Sequence, residues 1–245
     1  MMRSVQRILA IFESFSAERS SLSLQEIADR IDLPKSTTFR IVQSLERAGY
    51  LVRLEDNQYC LSFRFTRLAG LVRSTLTIRE IARPFLLELA EQTKETVSIH
   101  TVNGGNRVCI DAVSTGTAPL RAVVQAGEQI PLLAGSASKV LMAYLPKTDL
   151  TPIVASVARA RKMTKTDVLE ELAQVRDQGY AVSHGERLLG ISAISAPIKD
   201  FNEEVHYCLS VGAPTVRMQM HEKEFIKLAV TAAVDISRQY GGKAQ

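Results

Sequence analysis

A chain of 245 residues, 46% hydrophobic and 23% charged, has the length and composition for two ordinary globular cores, which excludes a disordered or fibrous protein. A net charge of +4 permits an anionic partner such as nucleic acid. The excess sits at the front: residues 1–75 hold 11 Lys+Arg against 8 Asp+Glu, and the rest 19 against 18. Cys60, Cys109 and Cys208 are odd in number and in no CxxC spacing, so a reducing, cytoplasmic setting is expected rather than a disulfide framework. The apolar start is too short, and too interrupted by Glu13, for a signal peptide, and no run reaches the length of a membrane span.

Val5, Ile8, Leu9, Ile11, Phe12 and Phe15 are spaced as one face of a helix over residues 4–16, followed by a polar loop, 16–21. Ser23 and Glu26 have the spacing of a capping box and open a short helix that buries Leu24, Ile27, Ala28 and Ile31. Pro34 suits the first position of a third helix, because its missing N–H would be unpaired there anyway. That helix runs to about Ala48 with Thr38, Ile41, Val42 and Leu45 turned inward, and Gly49 ends it. Residues 50–54 and 58–61 then read as a hairpin around the polar turn 55–57. A helix–turn–helix followed by a β-hairpin is a winged reading head. Residues 63–75 predict a connecting helix, and 77–93 a longer one with a start or kink at Arg83-Pro84.

Beyond residue 96 the pattern becomes α/β. Strands are expected at 97–102, 107–113, 120–125, 192–198 and 206–212, and helices at 136–145, 149–157, 166–178 and 220–240. Residues 241–245 read as a frayed tail. The expected organisation is an α+β protein: a winged helix-turn-helix over 1–62, a linker helix over 63–76, and an α/β domain over 77–245.

A recognition helix presents its N-terminal residues to base edges in the major groove. With Ile41, Val42 and Leu45 inward, the residues on or near the outer face are Lys35, Ser36, Thr37, Arg40, Gln43 and Ser44, with Thr38 at its border. Arg40 can meet guanine with two hydrogen bonds or grip phosphate, and the hydroxyl and amide groups can meet either. Gln25, early in the preceding helix, and Arg53 in the wing are phosphate candidates. Phe39 is expected to pack against the first helix. Double-stranded DNA is therefore the expected macromolecular partner.

The chain resembles the IclR family of bacterial regulators. The resemblance rests on Val5-Gln6-Arg7-Ile8-Leu9, Leu24-x-Glu26-Ile27-Ala28, Leu33-Pro34-Lys35-Ser36-Thr37-x-x-Arg40, Leu45-Glu46-x-Ala48-Gly49-Tyr50-Leu51 and Tyr59-x-Leu61. It continues through Arg83-Pro84-x-Leu86-x-x-Leu89, Ile130-Pro131-Leu132, Gly179-Tyr180 and Ala196-Pro197. It implies a GAF-like effector-binding domain, a homodimer or dimer of dimers on a palindromic operator, a repressor's action at the nucleoid, and a small carboxylate or aromatic acid as effector.

For that effector, residues 133–139 are the physical candidate. They follow a turn and open a helix, so free amides can attract a carboxylate while small side chains let it approach. An ordinary capped helix explains the same residues, and the resemblance favours a ligand loop built from Leu133, Gly135, Ser136 and Ala137. It also implies pocket roles for His184, for Ser192 and Ala193, and for Ser210 with Gly212. His184, Ser192-Ala193 and Gly212 depart from the family's usual polar set, which points to a larger or more apolar carboxylate. His100 and His221 read as ordinary surface or packing residues.

The competing reading is an α/β small-molecule-binding or hydrolytic enzyme with a helical accessory domain. No nucleophile elbow, P-loop or dinucleotide fingerprint supports it. No catalytic residue or cofactor is assigned, and His206-x-Cys208 alone is too little to assign a metal.

Overall fold

A computed structural model of the chain describes residues 3–16, 19–68, 77–115 and 120–242. The chain divides into two compact units, Met1–Leu76 and Thr77–Gln245.

The first unit contains α1 (Arg3–Glu13), β1 (Ser21–Leu22), α2 (Leu24–Arg30), α3 (Lys35–Arg47), β2 (Leu51–Arg53) and β3 (Tyr59–Leu61). The capping box forms: Ser23 Oγ accepts from the Glu26 amide at 3.2 Å, and the Glu26 carboxylate accepts from the Ser23 amide at 2.8 Å. The turn to α3 needs one left-handed residue, supplied by Asp32 at φ 51°, and the Leu33 amide closes it onto the Ala28 carbonyl at 3.1 Å. Pro34 is one place earlier than expected: it caps α3 with extended ψ, and Lys35 is the first helical residue. Ile11, Leu22, Ile27, Val42, Leu45, Leu51 and Tyr59 form the core, with Ile41 only at its margin. Leu22 falls between the predicted loop and the predicted second helix. It enters the core as part of β1, which pairs with β3 to make a three-stranded sheet in the order β1-β3-β2. Helical residues 64–68 follow. Phe65 meets the Phe12 and Tyr50 rings edge-on at 5.1 and 5.6 Å, and Arg64 lies over Tyr50. Residues 69–75 of the expected connecting helix lie outside the described residues.

The second unit contains α4 (Ile78–Thr93), β4 (Thr96–Asn103), β5 (Asn106–Ser114), β6 (Gln129–Pro131), α5 (Ser136–Ala143), α6 (Lys147–Arg161), α7 (Lys165–Gln178), β7 (Ala181–His184), β8 (Ile191–Lys199), β9 (Val205–Pro214) and α8 (Thr215–Gln239). Six antiparallel strands run in the order β6-β5-β4-β9-β8-β7. Pro84 lies within α4, which starts earlier, at a capping box of Thr77 and Glu80. Strands β6 and β7 and the first turn of α8 are additions to the predicted elements.

Segment 120–125 is a correction. It forms no strand, because side chains hold its carbonyls: Thr96 Oγ1 donates to Ala122 O at 2.6 Å and Arg217 Nη2 to Leu120 O at 2.9 Å.

Successive side chains on a strand point to opposite faces, and here the two faces differ in chemistry. Val97 and Ile99 of β4, Ile194, Ala196 and Ile198 of β8, and Leu209, Val211 and Ala213 of β9 join α4 and α8 in one apolar core. The opposite face carries Thr96, Ser98, His100, Ser195 and Ser210, all buried, beside a second core built on α5, α6 and α7. A buried sheet face lined with hydroxyls in place of Val and Ile forgoes hydrophobic stabilisation, so it needs polar partners.

Candidate functional site

The first unit exposes Lys35, Ser36, Phe39, Arg40 and Ser44 on α3, Gln25 on α2 and Arg53 on β2, while Thr37 and Gln43 are half-buried. Three of these side chains are already held. Gln25 Nε2 donates to Asp29 at 2.8 Å, Ser44 Oγ to the Arg40 carbonyl at 2.8 Å, and Arg53 Nη2 to Asn57 Oδ1 at 2.6 Å. Thr38 is a correction. It is wholly buried and its Oγ1 donates to the Pro34 carbonyl at 3.2 Å, because it follows the inward stripe of Val42 and Leu45 at helical spacing. Phe39 is also displaced from expectation: it is 41% exposed, so the outer face of α3 presents an aromatic ring beside Arg40.

In the second unit a cavity lies over the polar sheet face. Its volume is about 50 Å³, smaller than the roughly 300–1,000 Å³ of an ordinary ligand pocket, so a ligand must widen it. Thr96, Ser98 and His100 of β4, Arg107 of β5, Ser183 of β7, Ala193 of β8, and Ser210 and Gly212 of β9 line it. Gly135 and Ser136 close it from the start of α5, and Ala122 and Val124 form one wall. Gly212 lets that wall come close, since a Cβ there would meet Ala122 Cβ at 3.1 Å.

Five of the expected effector residues, Gly135, Ser136, Ala193, Ser210 and Gly212, converge on this cavity. Four do not. Leu133 packs against the second core, and Ala137 is inside it, its carbonyl accepting from Cys208 Sγ. His184 and Ser192 are one residue out of phase, so their strands turn them to the α8 face. There His184 pairs with Glu222 at 3.2 Å and with Ser192, whose hydroxyl donates to Thr215 Oγ1. Their neighbours Ser183 and Ala193 line the cavity in their place.

Two regions divide the polar lining. At one, hydroxyls of Ser136, Ser195 and Ser210 form a chain with steps of 2.8 and 2.9 Å. At the other, His100 Nε2 meets Ser98 Oγ at 2.8 Å while its buried Nδ1 has no partner among the described residues. Burial, reinforced by the charges of Arg107 and Arg187, pushes the His100 pKa well below the usual histidine value, so the ring is neutral at pH 7. Arg107 is 6% exposed, and no hydrogen bond or ion pair reaches its guanidinium among the described residues. Burial opposes its charge and Arg187 adds to that, while Glu128, which does not touch it, offsets part of the cost.

The α5 amides expected to await a ligand are not all open. Gly135 N donates to Glu186 Oε2 at 3.1 Å, and the other Glu186 oxygen meets Lys139 Nζ at 2.5 Å. Lys139, nearly buried, also pairs with Glu171 at 2.9 Å, which Arg161 grips with two hydrogen bonds. Burial works to raise the Glu171 pKa, but hydrogen bonds from Arg161 and Lys139 outweigh it and hold the carboxyl below its usual value. The chain's own carboxylate thus occupies part of the anion site predicted at this helix N-terminus.

The expectation that His100 is an ordinary surface or packing residue is corrected, since it is buried and lines the cavity with Arg107 and Ser183, which carried no expected role. The available signal was Thr96-x-Ser98-x-His100 interleaved with Val97 and Ile99 in a strand flanked on both sides. His206 faces Asp200 and Glu204, and Cys208 is fully buried beneath α5, so that spacing does not present an open pair of ligands.

A winged reading head and a separate α/β unit with a polar cavity define a transcription regulator that senses a small molecule. The chain belongs to the IclR family: the profile of the IclR helix-turn-helix domain matches residues 4–55, and that of the bacterial transcriptional regulator IclR C-terminal domain matches 71–238. The transcriptional regulator BhcR of Paracoccus denitrificans is 33% identical over 231 residues, covering 88% of this chain and 79% of that one. The crystal structure of a putative IclR regulator from Silicibacter sp. TM1040 has a TM-score of 0.89 at 22% identity, covering 100% of this chain and 98% of its own. An IclR homologue from Microbacterium hydrocarbonoxydans, solved with 4-hydroxybenzoate, has a TM-score of 0.60 at 20% identity and covers 97% of this chain and 98% of its own. These proteins are transcriptional regulators, and this chain is one rather than an enzyme. No helix among the described residues is long and apolar enough to cross a membrane.

Proposed function

We propose that this regulator is a homodimeric or tetrameric repressor, acting in the cytoplasm at the nucleoid, whose release from a palindromic operator is controlled by a small carboxylate bound in the cavity above the polar sheet face. The observation that carries the effector class is Arg107, a buried cation that no acidic side chain among the described residues pairs with, on the cavity wall beside the unpartnered Nδ1 of His100. A buried charge is costly unless a partner neutralises it, and a carboxylate meets a guanidinium with two parallel hydrogen bonds. The 4-hydroxybenzoate bound by the Microbacterium homologue, a carboxylate, supports the same class.

In this reading Lys35, Ser36, Thr37, Arg40, Gln43 and Ser44 enter the major groove, and Gln25 and Arg53 hold phosphates. The effector acts by binding the DNA-competent and released states with different affinity. A fluorescence-anisotropy titration of operator DNA tests both halves. DNA affinity should fall steeply with salt, and an effective carboxylate should raise both the operator Kd and the thermal stability of the protein. DNA binding unchanged by every carboxylate that stabilises the protein would refute the proposed control.

A further inference from the structure

The cavity lining contains a second guanidinium, Arg187, and no Asp or Glu among the described residues. Arg187 lies in the β7–β8 loop between Gly185 and Gly190, both at positive φ. Its acidic neighbour is Glu128, outside the lining, in a single contact of 3.5 Å. That is longer than a charge-assisted hydrogen bond, ~2.7–2.9 Å. The chain's other semi-buried arginines are held more firmly: Arg161 grips Glu171, and Arg217 grips Glu95, each through two nitrogens. Arg187 is close enough to Arg107 to repel it, and both act on His100. Two cations therefore share one small cavity with a neutral imidazole, while Glu128, outside the lining, touches Arg187 only at 3.5 Å and reaches Arg107 only through space.

We infer that the effector is a small dianion, which places one negative group on Arg107 and draws Arg187 from Glu128 with the other. This rests on the cavity being the effector site. A monocarboxylate would neutralise Arg107 and leave Arg187 with its loose partner. A ligand with two carboxylates, or a doubly charged phosphate, satisfies both guanidinium groups and removes their mutual repulsion. Ser136 and Ser210, which line the cavity and are bridged behind it by Ser195, then remain for the hydroxyl or carbonyl oxygens of the ligand's body.

The test is isothermal titration of the full-length protein at fixed ionic strength. One arm uses malonate, succinate, glutarate and adipate with their monomethyl esters; the other uses inorganic phosphate and glycerol 3-phosphate. At least one dianion should bind, and a binding dicarboxylate at least tenfold more tightly than its ester. The arm that binds distinguishes the dicarboxylate from the phosphate source. Arg187→Gln should bring a dicarboxylate down to the level of its ester, and Arg107→Met should abolish binding of both. Glu128→Gln, which removes the competitor for Arg187, should tighten dianion binding about threefold or more. No dianion binding, esters equal to diacids, or a dianion preference that survives Arg187→Gln overturns the inference. If esters bind as well as diacids and Arg107→Met still abolishes binding, the carboxylate-effector proposal stands. If a neutral compound releases operator DNA from the wild type and from Arg107→Met alike, that proposal falls too.

Discussion

Replacing Arg107 with methionine should stabilise the ligand-free protein while destroying its response. In the folded state Arg107 as a residue is 6% exposed and no hydrogen bond or ion pair reaches its guanidinium among the described residues, whereas in the unfolded chain water solvates it fully. A buried charged group without its hydrogen bonds costs about 1–3 kcal/mol or more. Methionine keeps most of the aliphatic stem's packing and removes the charge. A net gain of about 1–2 kcal/mol is expected, which for a unit of this length raises Tm by about 2–8 °C. The control is Arg161→Met, which leaves Glu171 without its two-nitrogen partner and should lower Tm. Scanning calorimetry of both variants without ligand, followed by operator titrations with a carboxylate active on the wild type, completes the assay. A fall in Tm for Arg107→Met would show that the guanidinium supports the fold, and the argument that it awaits an anion would fail. Natural sites commonly sacrifice stability to function in this way.

Arg40→Ala should weaken operator binding by about 1–3 kcal/mol if Arg40 reads a base, without changing the ligand-induced thermal shift. Thr38→Val should leave operator affinity within twofold, because Thr38 is buried and bonded to Pro34; a larger loss in the anisotropy titration would place it at the DNA after all. Ser210→Leu should fill the cavity and abolish effector response with operator binding intact, whereas Ala137→Phe should overpack the second core and cost about 1–3 kcal/mol in denaturant unfolding. Equal effects of those two substitutions would contradict the division between cavity and core. The depressed pKa of His100 sets a pH dependence: the unfolded chain binds a proton below about 6.5 that the folded state refuses, so stability is full above that value and falls as pH drops through it. His100→Gln should flatten that slope in urea melts between pH 7 and 5, and an unchanged slope would assign it to other groups.

Local chemistry wrote much of the first unit into the chain. The Ser23–Glu26 capping box and the inward stripe of Val42 and Leu45 are short-range features and both hold in the structure, whereas Pro34 caps the third helix instead of opening it. Thr38, expected both on the inward stripe and at the border of the groove-facing side, lies wholly on the stripe. The cavity was less legible. Segment 120–125 has a strand's composition, but its Leu120 and Ala122 carbonyls accept from the Arg217 and Thr96 side chains rather than from a neighbouring strand. The resemblance implies pocket roles for His184 and Ser192, and a shift of one residue turns a strand's side chain to the opposite face.

The two functional units follow from the sequence itself, because capping, turn formation and hydrophobic periodicity are decided within about ten residues. Arg107 and Arg187 are 80 positions apart, and Thr96, Ser98, His100 and Ser210 come from strands that meet only through the antiparallel order of the sheet. Their convergence, and the absence of an acid to neutralise them in the lining, depend on long-range register and packing. No local spacing encodes those, so the charge of the sensing site became visible only in the folded chain.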